Sequence, residues 1–409
     1  MKTLFKNIGP GPLVAAAFIG PGTVTVCTLA GVGFGYALLW AMVVSTLVTI
    51  LLQEMSARLG IVSQKGLSEI IRLEIKNPIL KGLAILLTLS AIVIGNAAYE
   101  AGNITGGVLG LETILGNHSF SIGVFSFNLL SLLVGGIAFV LLYMGNYKVL
   151  EKALISLVIL MSMAFLLSAI ITKPNMLNVL EGAFLPKSPN DSLLTVIGLI
   201  GTTVVPYNLF LHAALVKEKW QKADDLKYAR KDTVIAVVLG GMVSMCVIVS
   251  AASIESSEVS NAVDLAKGLE PVFGSMAKYV LAIGLFAAGI TSAITAPLAA
   301  AYVTSGCLGW GTNMRSKTFR GVWMVILIMG VCFSSLNIKA ITIIKFAQVT
   351  NGMLLPIIVG ILLWVMNKQG VLGIHKNNTW QNLLGFIILV LSIMLSLASF
   401  NKVFQLNLL

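Results

Sequence analysis

Ile19-Gly20-Pro21-Gly22-Thr23 and Val204-Val205-Pro206-Tyr207-Asn208 each interrupt an otherwise apolar stretch of the chain. Proline removes a backbone donor and clashes with the preceding helical turn, and the glycines of the first stretch permit an unwound path. Inside a bilayer, a broken helix is tolerated only where protein or a water-lined cavity re-satisfies the freed backbone groups. Two such breaks, one near the start of each half of a membrane protein, point to a transporter with its binding site near the bilayer midplane.

Working outward, the rest of the chain is membrane-like. Of its 409 residues 57% are apolar and 11% charged, and mean hydropathy is +0.96. Apolar stretches long enough to cross ~30 Å of hydrocarbon recur at about 11–31, 35–56, 83–110, 124–143, 150–172, 192–215, 233–253, 276–303, 321–337, 341–366 and 382–401. These eleven spans predict an all-α polytopic protein forming a single transmembrane domain over 1–409. Spans one to five (about 10–172) and six to ten (about 191–366) each open on a break, and an odd number of spans separates their starts. The two halves therefore have opposite orientation, as inverted repeats, with 382–401 as an extra helix. The first span has no clear small-residue cleavage site and reads as a retained helix.

The net charge of +11 marks topology and gives no sign of nucleic acid. With the N-terminus inside, the inner connections hold Lys2, Lys6, Arg58, Arg72, Lys148, Lys217, Arg230, Arg320 and many other basic residues. The outer side holds only Lys173, Lys187, Lys267, Lys278, Lys339 and Lys402. That asymmetry fits the positive-inside bias, with a cytoplasmic N-terminus in a bacterial inner membrane, and anionic lipid as a secondary attraction. The outer connection around 255–270 is acidic, with Glu255, Glu258, Asp264 and Glu270. Ser68–Leu73 reads as a short amphipathic helix at the inner surface. Asp224 and Asp225 read as the start of the seventh span, and Glu54 as the i+4 ion-pair partner of Arg58.

At the first break, one half-helix would end near Ile19–Gly20 and a second would present N–H groups near Thr23, so that partial charges of opposite sign face one cavity. At the second, Gly201, Thr202, Thr203, Tyr207 and Asn208 place small and polar groups around Pro206. His212 shares the face of Asn208 and reads either as a helix–helix hydrogen-bonding residue or as a proton or gating group. Glu100 lies mid-span, where a carboxylate costs about 2.5–3.5 kcal/mol and must face the bundle interior or water. Cys27, Cys246, Cys307 and Cys332 have no metal-ligand spacing and read as packing residues. No nucleophile–base pair, metalloprotease helix or phosphate loop occurs in a suitable context, so the chain reads as a non-enzyme without a cofactor. A monomer is the expected state.

The chain resembles the NRAMP family of proton-coupled divalent-metal transporters through most of spans one to ten. Phe34-Gly35-Tyr36-Ala37-Leu38-Leu39-Trp40, Ser56-Ala57-Arg58-Leu59-Gly60-Ile61-Val62, Pro206-Tyr207-Asn208-Leu209-Phe210-Leu211-His212 and Gly284-Leu285-Phe286-Ala287-Ala288-Gly289 carry the resemblance. It implies the LeuT-type inverted-repeat fold and alternating access. It also implies a substrate site of Gly20, Pro21, Gly22, Thr23, Thr202, Thr203, Val205, Pro206, Tyr207, Asn208, Gln348 and Asn351, with Glu100 on the proton route. The departures fall on the metal ligands. The family's Asp-Pro-Gly-Asn is Gly20-Pro21-Gly22-Thr23 here, its span-six methionine is Val205, and the His after the proline is Tyr207. A site without carboxylate or sulfur is ill suited to selective Mn²⁺ or Fe²⁺ capture. Lys345 either snorkels outward beside Lys339 or shares a face with Gln348 and Asn351. In the second case it would suit an anionic solute, and the expectation favours a small organic solute, with H⁺ as candidate coupling ion. The alternative is an Mn/Mg-type dication in a rebuilt site, or a non-transporting protein on the same scaffold.

Overall fold

The computed structural model describes residues 19–122, 125–145, 148–254, 259, 261–336 and 338–404. The first half-helix expected at 13–18, Lys2, Lys6, Glu255 and Glu258 lie outside them. Fourteen helices carry the architecture within the described residues. The first half contains α1 (Pro21–Phe34), α2 (Leu39–Ser63), α3 (Leu67–Glu74), α4 (Pro78–Leu115), α5 (Leu129–Met144) and α6 (Lys148–Ile171), followed by the short α7 (Met176–Phe184). The second contains α8 (Leu193–Thr203), α9 (Pro206–Lys219), α10 (Leu226–Ala251), α11 (Ala277–Leu308), α12 (Lys317–Ser334) and α13 (Ala340–Met366), with α14 (Thr379–Phe404) closing the chain. Among the described residues, nine helical stretches are long and apolar enough to cross a membrane, and α1 and α5 are shorter apolar helices. Together they occupy the eleven expected spans.

Local chemistry sets several boundaries. Asn77 caps the 38-residue α4 by accepting from Ile79 N and Leu80 N (2.9 and 3.1 Å), with Pro78 in the first turn. Gly35 ends α1 in a positive-φ conformation (φ 56°) open mainly to glycine. The expected fourth span, 124–143, needs correction. Ser119–Ile122 and Phe125–Asn128 pair as an antiparallel hairpin in the register Ser119↔Asn128 and Phe120↔Phe127, and α5 begins only at Leu129. Serine and aromatic residues alternate along these strands with period two, a strand pattern hidden inside an apolar run. Among the described residues the fold is all-α apart from this hairpin.

The interior depends on small residues. α4 packs chiefly on α11, and also on α12 and α13. A Cβ added at Gly289 would lie 2.7 Å from the Gly107 backbone, and one at Gly110 would lie 2.4 Å from Ala282 O. Such close backbone approach is how helices associate where lipid removes the hydrophobic drive. At the basic end, Arg58 lies 3.1 Å from Glu54 and donates to His375 O (2.9 Å) and Asn377 Oδ1 (2.8 Å), while Arg230 donates to Glu54 Oε1 (2.9 Å). The expected Glu54–Arg58 pair is thus part of a polar clasp joining α2, α10 and the segment before α14, buried at Arg58 and exposed at Arg230.

Candidate substrate site at two helix breaks

At the first expected break, Gly20 is extended (φ −97°, ψ 178°) and precedes α1 as its N-cap. The second lies at Val204 and Val205 between α8 and α9, with Val204 non-helical (φ −93°, ψ 75°) and Val205 extended (φ −82°, ψ 116°). The last carbonyls of a helix have no partner inside it. Val204 N takes Ile200 O (2.8 Å), so the following carbonyls of α8 bring partial negative charge to the break.

Side chains draw the breaks together. Thr23 Oγ1 and Thr202 Oγ1 are 2.7 Å apart and hydrogen-bonded. The Gln348 amide lies so close over Gly22 that a Cβ there would stand 2.1 Å from Nε2. A Cβ on Gly201 would be 2.0 Å from Gln348 O. Gln348 is therefore where α1, α8 and α13 meet, and glycine at 22 and 201 makes room for it. Asn208 Oδ1 and Nδ2, Gln348 Oε1 and Asn351 Nδ2 are buried without hydrogen-bond partners among the described residues. Buried polar atoms ordinarily find partners, so these are free to meet a ligand. Thr23, Thr202, Asn208, Gln348 and Asn351 are all almost fully buried, and the site is closed to solvent.

Other expected residues fall differently. Pro21 and Pro206 occupy the first turns of α1 and α9. Val205 is buried and apolar, and brings no side-chain ligand. The Thr203 hydroxyl is turned away, donating to Leu199 O of its own helix (2.9 Å). Tyr207 is packed edge-on against Tyr99, ring centroids 5.5 Å apart. His212 Nδ1 is 2.6 Å from Gln53 Oε1 and joins α9 to α2, in line with a helix–helix bonding role. Glu100 is fully buried; Asn103 Nδ2 donates to its Oε2 (3.3 Å), and Gly330 of α12 leaves room for its stem. Lys345 is only partly buried, at the border of the face that carries the buried Gln348 and Asn351. Gln53, Tyr99 and Asn103 were not among the expected site residues. Their polar atoms inside apolar spans were the available signal, but spacing alone does not say which helix they face.

Below the breaks, a narrow cleft of about 30 Å³ lies along α9 beside Phe210, Ala214 and Lys217 at the basic end, walled by α3 and α11. Glu69 of α3 accepts from Gly66 N (2.8 Å) and sits 3.6 Å from Lys217, while Arg72 donates to Gly306 O (3.2 Å).

The order of the helices, with helix ends meeting near Gly20 and at Val204–Val205, is that of an integral membrane protein of the LeuT-type fold. The family model for natural resistance-associated macrophage protein-like (Nramp) proteins matches residues 11–401, and the chain belongs to the Nramp family. It is 26% identical over 393 residues, 92% of its length and 84% of the relative's, to a protein from Verminephrobacter eiseniae named divalent metal cation transporter MntH. A crystal structure of the Eremococcus coleocola manganese transporter aligns with a TM-score of 0.76 at 21% identity, covering 98% of this chain and 87% of that one. Mhp1, a nucleobase-cation-symport-1 family transporter, aligns at 0.57 with 14% identity, covering 97% and 93%. At those identities the structural likenesses speak for the fold.

Proposed function

We propose that the chain carries a divalent metal cation by alternating access, through a site rebuilt from neutral oxygen donors. The observation that carries this reading is the meeting of Thr23, Thr202 and Gln348 at two helix breaks, with amide oxygens of Gln348 and Asn208 buried and unpartnered among the described residues. Family membership, with a relative named for divalent metal cations along nearly the whole chain, supports a metal over the small organic solute expected from sequence. That solute needed Lys345 beside the site as a countercharge, and a partly exposed Lys345 at the edge of the buried face does not favour it. The organic reading is set aside.

Amide, hydroxyl and carbonyl oxygens without sulfur suit hard cations that keep part of their water shell, of Mg²⁺ or Mn²⁺ type. Glu100, a carboxyl fully buried in α4, is the proposed proton carrier. The basic connections, including Lys217 and Arg230, would face the cytoplasm of a bacterial plasma membrane.

The test is radiotracer Mn²⁺ uptake by purified protein in liposomes, with Mg²⁺ as competitor and an imposed proton gradient. Saturable uptake, Mg²⁺ competition and acceleration by acid on the entry side are expected. Glu100→Gln should keep uptake but lose the acid acceleration. Absence of saturable uptake of either ion under any gradient would refute the metal reading. Unchanged acid acceleration in the variant would refute the role of Glu100 alone.

A further inference from the structure

We propose that Ser292, on α11, is a ligand of the transported cation and sets its hard-ion preference; this rests on the metal reading above. Ser292 is fully buried, and its hydroxyl has no hydrogen-bond partner among the described residues. A helical serine ordinarily satisfies itself by bonding the carbonyl four residues back. Its neighbours do so: Thr291 donates to Ala287 O (2.7 Å) and Thr295 to Thr291 O (2.8 Å). Ser292 instead turns its oxygen out of the helix toward the first break, where a Cβ on Gly20 would stand 3.1 Å from Oγ.

Gly20 is the position at which a side chain from α1 would enter the site. It carries none, and the space is taken by a hydroxyl arriving from a different helix. The lone pairs of Ser292 Oγ thus face the same break as Gln348 Oε1, another oxygen without a partner among the described residues. A neutral hydroxyl grips any dication more weakly than a carboxylate oxygen would. The loss is smallest for an ion that retains water, because a hydroxyl serves a hydrated ion as well as a bare one. Ser292 therefore acts on which ion is selected as well as on affinity.

The experiment measures Mg²⁺, Mn²⁺ and Cd²⁺ uptake in liposomes for the wild type, Ser292→Ala and Ser292→Cys. Ser292→Ala should raise KM for Mg²⁺ and Mn²⁺ about tenfold with maximal rate within about twofold, since only a ligand is lost. Ser292→Cys keeps the size and replaces oxygen by sulfur, so preference for Cd²⁺ over Mg²⁺ should rise at least about tenfold. Should Ser292→Ala reconstitute poorly, Ser292→Cys alone decides. Wild-type KM values and ion ratios in both variants, beside a wild type that does accumulate dications, would overturn the ligand role and leave the metal reading standing. A wild type that accumulates none of the three ions would overturn both.

Discussion

Gly20 can take a side chain only if the Ser292 hydroxyl gives way. Its backbone is extended, which any residue adopts, and the nearest obstacle is the rotatable hydroxyl of Ser292 at 3.1 Å from a Cβ. Two unit charges ~4 Å apart attract by ~4 kcal/mol at an effective dielectric of ~20, and desolvation takes back part of that. Gly20→Asp should therefore tighten Mn²⁺ binding by at least about tenfold, which is ~1.4 kcal/mol, as read by calorimetry on purified protein. Unchanged affinity would mean that position 20 does not face the ion. Several residues of the candidate site are legible in the sequence: Gly20, Thr23, Thr202, Asn208 and Gln348 stand at breaks or match a family run. Side-chain direction is not legible there. Neighbouring threonines at 202 and 203 look alike in sequence, yet one bonds across to Thr23 and the other back to Leu199. Nothing in the sequence separates Ser292 from the self-bonded Thr291. The proposed metal reading departs from the solute that the sequence favours, because the missing ligands are conspicuous there and the remaining oxygens are not.

The breaks announce themselves because proline and glycine act locally on the backbone. The hairpin at 119–128 does not, since four-residue strands next to a span read as the start of that span. Helix packing leaves a sharper prediction. Gly289→Ala would push a methyl to 2.7 Å from the Gly107 backbone, an overpacking worth about 1–3 kcal/mol. Gly136 of α5 is the control, because a Cβ there meets nothing within 4 Å. Gly136→Ala should be neutral or stabilise by about 0.4–1 kcal/mol. Thermal unfolding in detergent should show Gly289→Ala lowered by several degrees and Gly136→Ala not lowered; equal midpoints would contradict the close contact of α4 and α11.

Across the whole molecule, the site is closed while a cleft already reaches from Phe210 to Lys217 at the basic end. α3 covers that cleft, fastened by Glu69–Lys217 and by Arg72 on Gly306. A part-exposed ion pair contributes about 0–1 kcal/mol, so Glu69→Gln should barely change stability. It should quicken opening by up to about fivefold, seen as faster thiol labelling of Ala214→Cys in the cleft. An unchanged labelling rate would mean that α3 is not the door. The Thr23–Thr202 bond bears on the transport cycle itself. Under the proposed site, cargo arriving there would meet two hydroxyls already bonded to each other, and departing cargo would let them rejoin. A carrier with the proposed site would thus close on itself without a passenger, which would favour net accumulation over one-for-one exchange.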